Sequence, residues 1–153
     1  MNREILFRAK AINRDENISK RSHYKNGDWV YGLMTRLYDK RFPSLPAEMT
    51  DINGISRIEV DYRTIGQYTE LNDDNGNKIF EGDIVNIRGN SNYGDYKSIN
   101  YNAVVTFIDG AFCAIDAISE DECAVKRYNF YRREYEIEVI GNIFDNLELM
   151  NDD

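Results

Sequence analysis

Short apolar runs, interrupted every few residues by Asn, Gly and Asp, dominate this sequence and leave room for little except strands and tight turns. The composition points the same way. There are 17 Ile, 7 Val and 19 aromatic residues against 7 Leu, 8 Ala and 4 Met. β-Branched and aromatic side chains suit a pleated, half-buried surface, whereas Leu, Ala and Met are the helix formers and are scarce. The 17 Asn and 10 Gly supply residues that accept the positive φ of tight turns. A mainly β fold follows.

Along the chain, residues 4–12 read as a first strand and residues 28–34 as a second, with Asn26-Gly27 a turn signal before it. The two prolines, Pro43 and Pro46, mark an extended connection or turn. Weaker strand candidates are 55–61 and 64–69. A turn at 73–78 precedes a strand opening at Gly82. Residues 101–108 and 111–115 form the clearest hairpin, joined by Asp109-Gly110. From 134 to 140 the pattern alternates, with Tyr135, Ile137 and Val139 on the apolar face and Glu134, Glu136 and Glu138 on the wet one. Residues 146–150 read as a helical turn with Asp145 as its cap.

The net charge of −8 is uneven: residues 1–50 carry +4 and residues 51–153 carry −12. An acidic chain is repelled by nucleic acid and anionic membranes unless its basic residues converge on one face. No apolar run approaches the roughly 20 residues that span a bilayer. The expected location is the cytoplasm, with Cys113 and Cys123 as free thiols.

Most chemical readings fail on residue type. A single histidine, His23, removes most metal and nucleophile–base schemes. Asp73, Asn75 and Asn77 have the spacing of a calcium loop, but Lys78 stands where the bend needs glycine and Ile84 where a bidentate Glu belongs. A hairpin turn is the better reading. The two cysteines lack metal-ligand spacing, and no phosphate loop or nucleophile elbow is present. No enzyme activity, cofactor or metal is expected.

Four blocks resemble one family. Residues 3–9 (REILFRA) are similar to the "I-K-F-R-A" opening of the YopX family of phage proteins, and residues 65–71 (IGQYTEL) to its "V-G-Q-Y-T-G-L". Residues 75–85 (NGNKIFEGDIV) resemble its "N-G-K-E-I-Y-E-G-D-I-V", and residues 139–149 (VIGNIFDNLEL) its "V-I-G-N-I-Y-E-N-P-E-L". In this chain Lys10, Glu70 and Leu147 replace the family's Trp, Gly and Pro. The resemblance implies a phage or prophage origin, hence the cytoplasm of a bacterial host, and an all-β fold with an SH3-like barrel. It implies no established activity.

The expected architecture is therefore a small SH3-like barrel over about residues 64–143, an additional N-terminal β lobe and a short C-terminal helical turn. The domains read as 1–60 and 61–153, with one compact unit as the alternative. Within the family blocks, Gly82-Asp83 reads as a turn feeding a barrel strand, Gly66 (with Gln67 and Tyr68) as a bulge or close backbone approach, and Gly141-Asn142 as a barrel corner. One cluster points to binding: Tyr128, Phe130, Tyr131, Arg132 and Arg133 mix stacking rings with cations, and Lys20, Arg21, Lys25, Arg36, Lys40 and Arg41 could extend it. The competing reading packs these rings in a core or subunit interface. Two functions follow. The first is a non-catalytic phage accessory protein acting through protein–protein interaction or self-association, expected as a homo-oligomer, since Val104, Val105, Phe107 and Ile108 put apolar groups on both strand faces. The second is a single-stranded nucleic-acid binder using the aromatic–basic surface.

Overall fold

A computed structural model of the chain describes residues 4–13, 23–90, 98–115, 127–128 and 135–150; of residues 90, 98, 127 and 128 it describes the backbone alone. The strands are β1 (Phe7–Lys10), β2 (Trp29–Arg36), β3 (Ala47–Asp51), β4 (Ile58–Val60), β5 (Gly66–Asn72), β6 (Lys78–Phe80), β7 (Asp83–Asn90), β8 (Ser98–Ile108), β9 (Ala111–Ile115), β10 (Arg127–Tyr128) and β11 (Glu136–Asn142). Single 3-10 turns occupy Tyr62–Thr64 and Leu147–Met150. One sheet has the order β4-β3-β2-β1-β5-β6 and the other β10-β9-β8-β7-β11, and the strand pairs run antiparallel. The protein is mainly β. The chain divides inside β5 into two compact units, Met1–Tyr68 and Thr69–Asp153.

The barrel expected over residues 64–143 is corrected: among the described residues the strands form two sheets and no closed barrel. The cause lies in the pairing. The first residues of β5 bond to β1, with Gln67 opposite Phe7 and Gly66 opposite Arg8, while β10 and β11 stay at opposite edges of the second sheet.

In the first unit the sheet curls. Ala11 bridges Val60, the Ile12 amide donates to Glu59 O at 2.8 Å, and the Asp61 amide donates to Lys10 O at 2.8 Å. The inside of the curl is narrow, so small side chains fill much of it: Ala9, Ala11 and Ala47 with Val30, Met49, Ile58 and Val60, all buried. Gly32, opposite Asp51 in the register, permits the tightest approach. A Cβ there would overlap the Thr50 carbonyl oxygen, which is backbone and cannot yield.

The second unit has a bulkier core of Ile79, Val85, Ile87, Ala103, Val105, Phe112 and Ala114. Tyr135, just before β11, packs against it together with Ile137 and Val139 from the strand itself. β8 and β9 form a hairpin through Asp109 (φ 52) and Gly110 (φ 81), the two positive angles of a type I′ turn. Cys113 is buried, and Cys123 lies outside the described residues.

Candidate functional site

A cleft of about 430 Å³ opens in the first unit, at the turns that begin β2 and end β3. The turn before β2 is set by Asn26-Gly27: Gly27 takes φ 89, its amide donates to Ala11 O at 2.9 Å, and the Lys25 amide donates to Asp28 Oδ2 at 2.7 Å. Tyr24, Asp28 and Trp29 therefore reach the cleft from this side, with the single histidine, His23, beside them. On the other side β3 ends at Asp51, whose Oδ1 accepts from the amides of Asn53 (2.9 Å) and Ile55 (2.7 Å). That carboxylate closes the turn and holds Asn53 and Ile55 on the cleft wall.

Asp51 and Tyr24 lock the two sides together, the Tyr24 hydroxyl donating to Asp51 Oδ2 at 3.0 Å. Burial pushes the Asp51 carboxyl up, but the Ile55 amide, the Tyr24 hydroxyl and the Asn53 amide outweigh it and hold the group below its ordinary value. The same contact acts oppositely on Tyr24. Burial first, then the bond to Asp51 and its charge, push the phenol up. The cleft thus keeps a fixed anion next to a neutral phenol. The only tryptophan forms the aromatic wall. Arg8 Cζ lies 4.7 Å and Lys10 Nζ 5.3 Å from its ring centroid, because Lys10 stands opposite Trp29 in the register and Arg8 lies diagonally across on the same sheet face. Neither of these β1 residues lines the cleft.

Of the residues singled out from the sequence as an interaction site, none whose side chain is described lines this cleft. Phe130, Tyr131, Arg132 and Arg133 lie outside the described residues, as do Lys20 and Arg21; the Tyr128 backbone pairs with Ala114. Among the extending cations, Arg36 is paired with Glu48 at 2.7 Å and Arg41 with Asp39 at 2.7 Å.

The motif glycines and their neighbours have structural placements. Gly82 takes φ 82, its amide donates to Val105 O, its carbonyl accepts from Ile143, and a Cβ would meet Phe144 at 3.2 Å. Asp83 Oδ2 accepts from the Phe80 amide at 2.7 Å and closes the same turn. Gln67 and Gly66 stand in plain register with β1, and the buried Tyr68 donates its amide to Leu6 O. The register of β11 shifts between Val139 and Gly141, where a Cβ on Gly141 would strike Asn146. Asn142 Oδ1 then accepts from the Phe144 and Asp145 amides. Asp73, the first residue of the calcium-like spacing, is buried and turned to structural use. Its carboxylate accepts from the amides of Asn75, Asn77 and Val139 and from Asn77 Nδ2. Among the described residues no group of three His, Cys, Asp or Glu is placed to hold a metal ion, and no helix is long and apolar enough to cross a membrane.

A family model described as YopX protein matches residues 9–151, nearly the whole chain. The chain belongs to the YopX family. The crystal structure of protein EF1440 from Enterococcus faecalis is similar to this YopX-family chain, at 23% sequence identity and a TM-score of 0.49, over 96% of this chain and 98% of that one. Comparison with curated protein sequences yields no match.

Sequence reading missed the cleft because its walls come from residues 23–29 and 51–55, which no local pattern joins. One signal was present: the single His and the single Trp fall within seven residues of each other, beside a Gly turn.

Proposed function

We propose that this YopX-family chain is a non-catalytic accessory protein of phage or prophage origin, acting in the bacterial cytoplasm through self-association. The observation that carries the reading is a run of exposed apolar side chains on the first unit. β2 alternates, so Val30 and Gly32 face inward while Tyr31 and Leu33 (53% exposed) face out. Ile52, 70% exposed, adjoins them, since its amide donates to Tyr31 O at 2.9 Å. Leu37, Phe42 and Leu45 continue the exposed apolar character in the following loop. That loop is braced by Arg36 Nε donating to Pro46 O and by Tyr38 stacked on Tyr62 at 4.1 Å between centroids.

Exposed apolar side chains gathered on one surface mark interaction sites, and two copies meeting across a two-fold axis bury the same side chains from both. Light scattering at micromolar concentration tests this. The wild-type mass exceeds that of one chain and falls on dilution; Leu33→Asp leaves the melting temperature within a degree or two and reduces the mass to one chain. A wild-type mass of one chain, unchanged over a tenfold range, overturns the reading.

A further inference from the structure

We propose that the outer edge of β11 is a latent strand-pairing edge, held shut by the turn at Asp73 and Asp74, whose release lets a second copy add its own β11 across a two-fold axis. The inference goes beyond the apolar face of the first unit and does not depend on it. Among the described residues four strands stand at sheet ends: β4, β6, β10 and β11. Three of them hold only two or three residues, whereas β11 has seven. A short edge offers another chain little to bond to, but a long one presents a row of amides and carbonyls that pairs readily. The one strand bonded to β11 is β7, so its opposite side needs a different partner.

The turn supplies that partner. The Asp74 amide donates to Ile137 O at 3.0 Å, and Asp74 Oδ2 accepts from the Ile137 amide at 2.6 Å. One residue thus gives Ile137 both the donor and the acceptor that a neighbouring strand would give, with a carboxylate oxygen in place of a carbonyl. Asp73 Oδ2 accepts from the Val139 amide at 3.0 Å, while its Oδ1 takes the amides of Asn75 and Asn77 and closes the turn. Past Val139 the register shift before Gly141 interrupts the strand by itself.

The edge under this cap is self-complementary. Ile137 and Val139 both turn their amides away from β7. In an antiparallel pair centred on Glu138, Ile137 of each copy stands opposite Val139 of the other and exchanges hydrogen bonds with it. Glu138 then faces its own copy, and its charge is already paired with Arg88 at 2.8 Å. The cap wins in the intact chain because its bonds are intramolecular, whereas a second copy must give up translational and rotational freedom to replace them.

The test uses the full chain carrying Leu33→Asp, so that any gain in mass over that parent reports a contact outside the apolar face. Asp74→Ala, at an exposed position, removes the acceptor for the Ile137 amide. Asp73→Asn keeps an acceptor for the turn amides but sets an amide donor against Val139. At low micromolar concentration, hydrogen exchange of the Ile137 amide is expected to quicken at least about tenfold in Asp74→Ala, and that of Ile137 and Val139 together in Asp73→Asn/Asp74→Ala. Light scattering from about 1 to about 100 µM is expected to show the double variant rising from one chain to two, with both amides protected again at the upper end. Should the double variant fail to fold, Asp74→Ala alone decides by the same two measurements. Unchanged exchange at Ile137, a mass that stays at the parent's value although the amides exchange faster, or growth past two chains overturns the proposal. A wild-type mass of one chain overturns only the reading of the apolar face, because the Leu33→Asp parent is then one chain as well.

Discussion

The two units use the same kind of residue in opposite ways. The first encloses a narrow core containing three alanines and leaves Ile5, Tyr31, Leu33, Leu37, Phe42, Leu45, Ile52 and Tyr62 exposed. The second turns its large side chains inward, so that among the described residues only Phe107 and Leu147 of its large apolar side chains are exposed. Both units staple turns with buried carboxylates, Asp51 in the first and Asp73 and Asp83 in the second. A tightly curled sheet has little interior volume, so bulky residues in its strands must face out. A more open sheet can take them in. The first unit is thus the one built to present surface, and the second the one built to hold itself together.

The comparison can be broken most severely at Gly32. Gly32→Ala places a Cβ against the Thr50 carbonyl and forces β2 and β3 apart, at an expected cost of about 3 kcal/mol or more. Thermal denaturation measures it, and an unchanged melt would mean that β2 and β3 approach less closely at this point. Gly82→Val strikes the second unit instead. A β-branched residue at φ 82 beside Phe144 is expected to cost about 2 to 3 kcal/mol. Hydrogen exchange is expected to show the loss mainly in β7 and β11, and equal loss in β1 to β4 would contradict the division into units.

Asp73→Ala removes the acceptor for three backbone amides and one side-chain amide, an expected loss of about 2 kcal/mol at neutral pH. The effect also depends on pH. Burial pushes the Asp73 carboxyl up, but the bonds from Asn77 and Val139 outweigh it and leave it below the ordinary value. Its stabilisation is therefore complete above the ordinary carboxylate range and is lost as pH falls through the lowered value. Melting curves of the wild type and Asp73→Ala are expected to converge in acid; a constant gap would show that the charge is irrelevant. The smallest expected effect is a gain. Glu70 sits at φ 68 inside β5, where the family motif carries glycine, so Glu70→Gly should relieve strain worth up to about 1 kcal/mol and raise the melting temperature by a few degrees. A lowered melting temperature would refute this.

Several of these features are legible in the amino-acid sequence. Asp109-Gly110 between two apolar runs specifies a type I′ hairpin, because few residue pairs accept two positive φ angles, and β8 and β9 pair there in unbroken register. The alternation of β11 names its inward face, since strand side chains point to opposite sides by covalent geometry. β3 is not legible. Ala-Glu-Met-Thr-Asp has a helix former's composition, and it is extended because β2 and β4 pair with it on either side.

By itself, the sequence determined the strand-rich class, the tight turns, the family and the apolar faces of the strongest strands. Each of these depends on local backbone preference or on a period of two. Only the tertiary structure decided which strands share a sheet, that Ala11 meets Val60, that Gly32 must lie under the Thr50 carbonyl, and that Trp29 faces a cleft with Asp51. Those relations join residues far apart in the chain. They are set by volume and hydrogen-bond satisfaction once the sheet curls, and no local pattern carries that information.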